Sequence, residues 1–301
     1  MKDILICGLI NIETTLRIDG FPLDYSPVRY PFFGVNSTVS GVGYNITRAL
    51  TTLGNGVRLL SLIGQDSAGT LARHALTRAG INDQYVLDNL SQTAQSVILY
   101  DGDGRHAIHT DLKDIQQQSY PVALFDEAAA DCELTILCNI NFSRPFLQRA
   151  RTTGKTIATD VHTIASLDDD YNADYMQHAH ILFMSDEHLP ATPENWAREV
   201  LNRCPAEIVV IGLGSEGVLL AVRQDNFIER IPAVYTRPVV STIGAGDALF
   251  SAFIHDYNLR GDPYEAIRRA VVFASYKIGT TGAADGFLSQ AELDRLYEMS
   301  R

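Results

Sequence analysis

Short, unbroken apolar runs separated by segments of helical period organise this chain. DILICGLI (3–10), VRLLSLIG (57–64), ELTILCNI (133–140), TIATDV (156–161), HILFMS (180–185) and EIVVIGLG (207–214) show little alternation. Runs this brief and this apolar suit strands buried on both faces of a parallel sheet. Between them, NITRALTTLG ends at Gly54 and DSAGTLARHALTRAG runs from Asp66 to Gly80, both with helical spacing and a terminal glycine. RPFLQRARTTG and PENWAREVLNRC continue the alternation, and AGDALFSAFIHDYNLRG, PYEAIRRAVVFASYKIG and SQAELDRLYEM form a helical end. Strands spaced by helices imply right-handed βαβ units, with helices on both faces of a mostly parallel sheet.

Two stretches depart from this rhythm. Ile18 to Ser40 holds Pro22, Pro27 and Pro31 and several aromatics without a helical period. It reads as an excursion of a few strands that leaves the main domain and returns, a lid or clasp over a ligand or a partner copy. SVILYDGDGRHAIHT reads as two strands joined by a turn at Asp101-Gly102-Asp103-Gly104. GVLLAVRQDNFIERIPAVYT is strand-rich as well.

Composition narrows the functional classes. The 301 residues are 46% hydrophobic and 20% charged, enough for one large core. A formal charge of −12, with no basic cluster, argues against a nucleic-acid partner. MKDILICGLI enters a strand pattern without a cleavage site, and no apolar run is long enough to span a membrane, so neither a signal peptide nor a membrane partner is expected. Cys7, Cys132, Cys138 and Cys204 form no CxxC pair, as expected of buried thiols in a reducing cytoplasm.

Ligands of such folds bind outside the carboxyl ends of the strands, and four places there carry chemistry. In STIGAGDALFSAF, Gly244, Ala245 and Gly246 make a turn whose amides can converge on an anion at a helix N-terminus, and Asp247 is placed to accept a proton from an attacking hydroxyl. A helix cap after a glycine turn is the plainer alternative. Gly212, Gly214, Ser215 and Gly217 suit a backbone passing close to a nucleotide, or a tight hairpin. Gly41 and Asn45 open the helix that follows Ser40, with Asn45 as cap or as a donor to a polyol. Asn11 and Glu13, after the first strand, can hold adjacent sugar hydroxyls. His162 and His188 lack partners at metal-ligand spacing and read as solvated or packed. Trp196 reads as packing, and Ser215 is not in a hydrolase elbow.

Taken together, GLINIE, SGVGYNITRALTTLG, SLIGQDSAG, VVIGLGSEGVLL, STIGAGDALFSAF and TTGAADG resemble the ribokinase-like, or PfkB, family of carbohydrate and nucleoside kinases over essentially the whole chain. The resemblance implies one three-layer α/β/α catalytic domain over 1–301, with a mostly parallel sheet and residues 18–40 in a small β lid. It implies Asp247 as catalytic base, the Gly244–Gly246 backbone as anion hole, and Asn11, Glu13, Gly41 and Asn45 around the sugar. Gly212 to Gly217 would border the nucleotide, and Gly282 with Ala283 its purine side. ATP and Mg2+ are the implied cofactors, the metal being held mainly by phosphates and waters.

Several positions depart from the family pattern. Ser40 replaces a glycine, Ser241 an aspartate and Ile243 a threonine, and these last two lie in a loop that binds a monovalent cation in many members. Potassium dependence is therefore left undecided. Residues 185–188 read SDEH where Asn-x-x-Glu is usual, so either Glu187 takes the metal-water role or the phosphate end is arranged differently. Glu13 replaces the commoner aspartate. The substrate expected first is ribose or another pentose, with a nucleoside as the alternative and a noncatalytic binding protein as the reading of another class. Tyr25, Tyr30, Phe32, Phe33 and Tyr44 serve either a base slot or a homodimer clasp through the lid.

Overall fold

The computed structural model describes residues 3–102 and 105–300. The chain starts with β1 (Ile4–Cys7), whose four residues are all buried, and passes through three residues into β2 (Asn11–Arg17). β3 (Val35–Ser40) returns to α1 (Val42–Thr52), β4 (Val57–Gly64), α2 (Ser67–Arg78) and β5 (Val86–Leu90). The hairpin β6 (Gln95–Tyr100) and β7 (His106–Asp111) follows, then α3 (Val122–Ala129), β8 (Leu134–Leu137), α4 (Phe146–Thr152) and β9 (Thr156–Asp160). Next come α5 (Ala173–His178), β10 (Ile181–Ser185), α6 (Pro193–Arg203), β11 (Ile208–Gly212), β12 (Val218–Val222) and β13 (Phe227–Ile231). α7 (Ala245–Arg260), α8 (Pro263–Lys277) and α9 (Gln290–Ser300) close the chain.

The central sheet has nine strands in the order β13-β12-β11-β10-β9-β8-β1-β4-β5. Every pairing from β11 to β5 is parallel, and β12 and β13 add an antiparallel edge. Ile4 and Ile6 face one core while Leu5 and Cys7 face the other, so helices cover both sides of the sheet and the unbroken apolar runs are explained. After β1 the chain builds β4 and β5 on one side and later β8 to β11 on the other. The order therefore reverses between β8 and β1, and a crevice opens there at the strand ends.

A second sheet, β3-β2-β6-β7, forms the lid. The sequence reading of 18–40 as several strands needs revision: only Val35–Ser40 is strand, and residues 18–34 form a largely exposed loop. Its partner strand is β2, immediately before that stretch, and the hairpin β6–β7 completes the sheet. Prolines at 22, 27 and 31 keep the loop out of the ladder, since each lacks an N–H. Asp103 and Gly104 of the expected hairpin turn lie outside the described residues. All four cysteines are free and buried.

Candidate active site

The crevice at the sheet reversal is narrow by construction. A Cβ on Gly8 would lie 2.5 Å from Cys138 Sγ, and one on Gly43 would lie 2.5 Å from the Gly8 carbonyl carbon. The absence of side chains there lets α1 press its first turn against the end of β1, with Tyr44 N–H bonded to Leu9 O at 3.2 Å. Gly41, the residue before α1, has φ 101°, and a Cβ on it would meet Leu9 O at 2.6 Å. Its role in the fold is thus to turn the chain from the lid into α1, which points Asn45 at the crevice.

Asn45 Nδ2 donates to Asp247 Oδ2 at 2.7 Å across 202 residues of sequence. Ser40 Oγ lies 3.0 Å from Glu13 Oε2 and 3.3 Å from Asn45 Oδ1, and so links the lid carboxylate to the helix amide. Asn11 and Glu13 share the buried face of β2 because strand side chains alternate. Asn11 Nδ2 bonds Ser96 Oγ at 3.1 Å, tying β2 to β6. The remaining oxygens, Asn11 Oδ1 and Glu13 Oε1, are buried with no partner among the described residues. Such orphaned acceptors are costly unless a ligand supplies donors. Five predicted residues, Asn11, Glu13, Gly41, Asn45 and Asp247, therefore fall into one constellation.

Asp247 sits in the first turn of α7, preceded by Gly244 in the left-handed region at φ 77°. A Cβ on Gly244 would meet Ala283 O at 2.6 Å, so this glycine allows the 241–244 turn to close on the 282–284 loop. Ala283 is itself buried and packs that turn. Ala245 N–H bonds Thr242 O at 3.1 Å, while the amides of Gly246 and Asp247 have no intrahelical acceptor and form the helix's positive end. Gly246 has nothing within 4 Å of its would-be Cβ. Burial pushes the Asp247 carboxyl up to about 6, opposed by the Asn45 hydrogen bond and by His162; Asp160 adds to the rise and Lys277 opposes it. Burial also raises Glu13, against the Ser40 bond and Lys277.

Asp160, at the end of β9, and His162 lie 3.8 Å apart and both act on Asp247, a proximity the sequence reading of His162 as solvated or packed did not include. Ser40, Asp160, His162 and Lys277 were absent from the sequence-derived site. The first three sit at strand ends, which is the signal that identifies them in hindsight. At the other strand ends, Gly217 has φ 103° and a would-be Cβ 2.2 Å from Ile231 O, which makes it a requirement of the β11–β12 hairpin. Gly212 pairs with Ser185 in register, and Gly214 opens on empty space, with Ser215 in the following short turn. Gly282 packs against Asp285. Glu187 and His188 are exposed just beyond β10. Among the described residues no group of three or more His, Cys, Asp or Glu side chains is placed to hold a metal ion.

A carboxylate beside free helix-start amides, with orphaned hydroxyl-binding groups opposite, is the equipment of phosphoryl transfer. The chain matches the profile described as pfkB family carbohydrate kinase over residues 1–290. It belongs to the PfkB family. An acarbose 7(IV)-phosphotransferase of Actinoplanes sp. is 26% identical over 296 residues, 97% of each chain. An ATP-dependent ribose-1-phosphate kinase of Halopiger xanaduensis is 26% identical over 289 residues, 94% of each chain. A solved microbiome-derived acarbose kinase superposes with a TM-score of 0.87 at 26% identity, covering 98% of each chain. This PfkB kinase thus shares its central sheet, lid and length with sugar kinases, while its relatives' names span different acceptors.

Proposed function

We propose that the chain transfers the terminal phosphoryl group of ATP to a primary hydroxyl of a small sugar, a pentose first, with Asp247 as general base. The observation that carries this is the line of contacts from Glu13 through Ser40 and Asn45 to Asp247, with Glu13 Oε1 and Asn11 Oδ1 left without partners. A polyol would satisfy both oxygens through its hydroxyl protons and lay its reacting oxygen beside Asp247. As the oxygen–phosphorus bond forms and ADP leaves, the hydroxyl proton passes to the Asp247 carboxylate. Asn45 fixes the carboxylate's orientation. The Gly246 and Asp247 amides are positioned to hold phosphate oxygens at the start of α7.

Gly214 and Gly246 present backbone without a Cβ to open space, which suits a bound triphosphate. Mg2+, which neutralises phosphate charge, would come with the nucleotide and be held chiefly by its phosphates and water, with Glu187 as the protein carboxylate near the β10 end. A larger glycoside with the same ring at its reacting end is the second reading. It is favoured by the open loop 18–34, whose Tyr25, Tyr30, Phe32 and Phe33 are exposed rather than folded over Glu13 as a base slot, and by relatives named for acarbose. The same rings are the proposed surface for a homodimer through the lid.

The test is a panel of ribose, other pentoses, hexoses, acarbose and nucleosides with MgATP, following phosphorylated product by mass. Product from a pentose upholds the first reading; product from acarbose alone moves it to the second. Product from nucleosides alone, or from none, rejects both.

A further inference from the structure

Lys277 is the last residue of α8, and its side chain has no solvent exposure. Its Nζ donates to the backbone oxygen of Ile243, in the turn that leads into α7. Among the described residues no carboxylate lies within ion-pair distance of it. An ammonium taken out of water without a contacting counter-ion is expensive, and an aliphatic residue would fill the same space more cheaply. What the charge gains is longer-range. Asp247, Glu13 and Asp285 all attract it, while Arg237 opposes it. It also stands at the negative end of α8.

The surroundings make this a fixed arrangement. Val240 and Ser241 N–H groups bond Ile278 O at 2.8 and 3.0 Å, so the residues before the turn are held to the end of α8. Ser241 Oγ accepts from Ile243 N–H at 3.3 Å, which leaves the Ile243 carbonyl directed at Lys277. A free cation approaching that carbonyl would meet an ammonium already bonded to it and would find a hydroxyl, not a carboxylate, at position 241. Like charges exclude it.

We propose that Lys277 is a positioning residue that serves as a built-in monovalent cation, holding the 241–244 turn so that the first amides of α7 face the phosphoryl group. The inference rests on the kinase reading above and extends it. It implies that turnover needs no added potassium or ammonium. It also implies an alkaline limit: burial brings the Lys277 ammonium down to about 8, so above that pH the charge is lost and the Ile243 carbonyl keeps only the weaker bond from a neutral amine.

The experiment compares wild type with Lys277→Arg, Lys277→Met and Lys277→Ala in tetramethylammonium buffer, with potassium, ammonium or ethylammonium added. Turnover, calorimetric affinity for a non-hydrolysable ATP analogue and thermal melting are measured together. Wild type should be indifferent to the added cation. Lys277→Met should lose about 10²-fold in turnover, the scale of one missing electrostatic contact to the transition state, while melting at or above the wild-type temperature because a buried charge is gone. Lys277→Ala should regain several-fold activity with ammonium or ethylammonium. Lys277→Arg should keep activity and lose the alkaline limb.

Strong activation of the wild type by potassium would overturn the proposal, as would a Lys277→Met enzyme with normal turnover and analogue affinity. If no acceptor is phosphorylated but the wild type binds the analogue, affinities of the variants decide the matter. A wild type that binds no nucleotide rejects the kinase reading, and this inference falls with it.

Discussion

Asp247 carries two opposed demands at once. Burial lifts its pKa to about 6, from 3.8, which would bring the proposed base closer to the alcohol it serves. The same shift makes the folded protein bind a proton more tightly than the unfolded chain, so stability declines as pH rises through that interval, and the penalty is complete above about 6. Asp247→Asn should therefore reduce turnover by about 10²–10⁴-fold with nucleotide affinity unchanged. It should also raise stability at neutral pH by about 1–3 kcal/mol, a gain that disappears in acid. Chemical denaturation of both proteins across that range checks the sign. For the wild type, kcat/KM should rise through about 6 as the carboxylate forms. Glu13→Gln leaves the Ser40 contact an oxygen or amide but weakens the acceptor, and should raise the sugar KM by about 10–100-fold while the ATP KM stays fixed; initial-rate kinetics with both substrates varied separates the two. Asp247, Asn45, Asn11 and Glu13 were legible in the sequence because each stands beside glycines or a strand end. Lys277 was not. A lysine closing an amphipathic helix reads as solvated, and only the packing of α8 beside the 240–243 segment encloses it.

At the level of elements, the start of α7 depends on two glycines with different tasks. Gly244 is required by conformation and by the Ala283 backbone against it, so Gly244→Ala should destabilise the protein by roughly 1–3 kcal/mol and displace the amides. Gly246 is helical and faces open space. Gly246→Ala should melt at or slightly above the wild-type temperature, since alanine favours the helix, yet raise the ATP KM because a methyl group then stands where phosphate oxygens approach. Equal effects of the two substitutions on ATP KM, with no difference in melting, would contradict this division. The alternating strands and helices were legible because buried parallel strands leave unbroken apolar runs. The lid was read less well. β2 carries Asn11, Glu13 and Thr15 inward and is not apolar, so its strand period is written in polar residues, and it pairs in parallel with β6, some 85 residues away.

The molecule as a whole divides the proposed substrate site between its two sheets. Asn11, Glu13 and Ser40 belong to the lid, while Asn45 and Asp247 belong to helices packed on the large sheet, and the chain crosses between them at residues 8–10 and at Gly41. A change in lid position must therefore alter the Ser40 contacts that connect the two groups, which couples sugar binding to the orientation of the base. The lid's outer loop is the proposed homodimer surface. Tyr25 is 93%, Phe32 84% and Phe33 107% exposed, on a segment that also exposes Leu23, Val28 and Tyr30. Apolar surface gathered in this way is normally covered. With the lid pairing against a second copy, sedimentation should give a dimer that dissociates on dilution, and Phe32→Ser with Phe33→Ser should shift it to monomer. Phe33 is fully exposed and Phe32 stacks on the exposed Tyr30 at the surface of the chain, so the melting temperature of the dilute monomer should barely move. A wild type that sediments as monomer at all concentrations, with the double variant losing sugar affinity instead, would assign these rings to the substrate and remove the clasp.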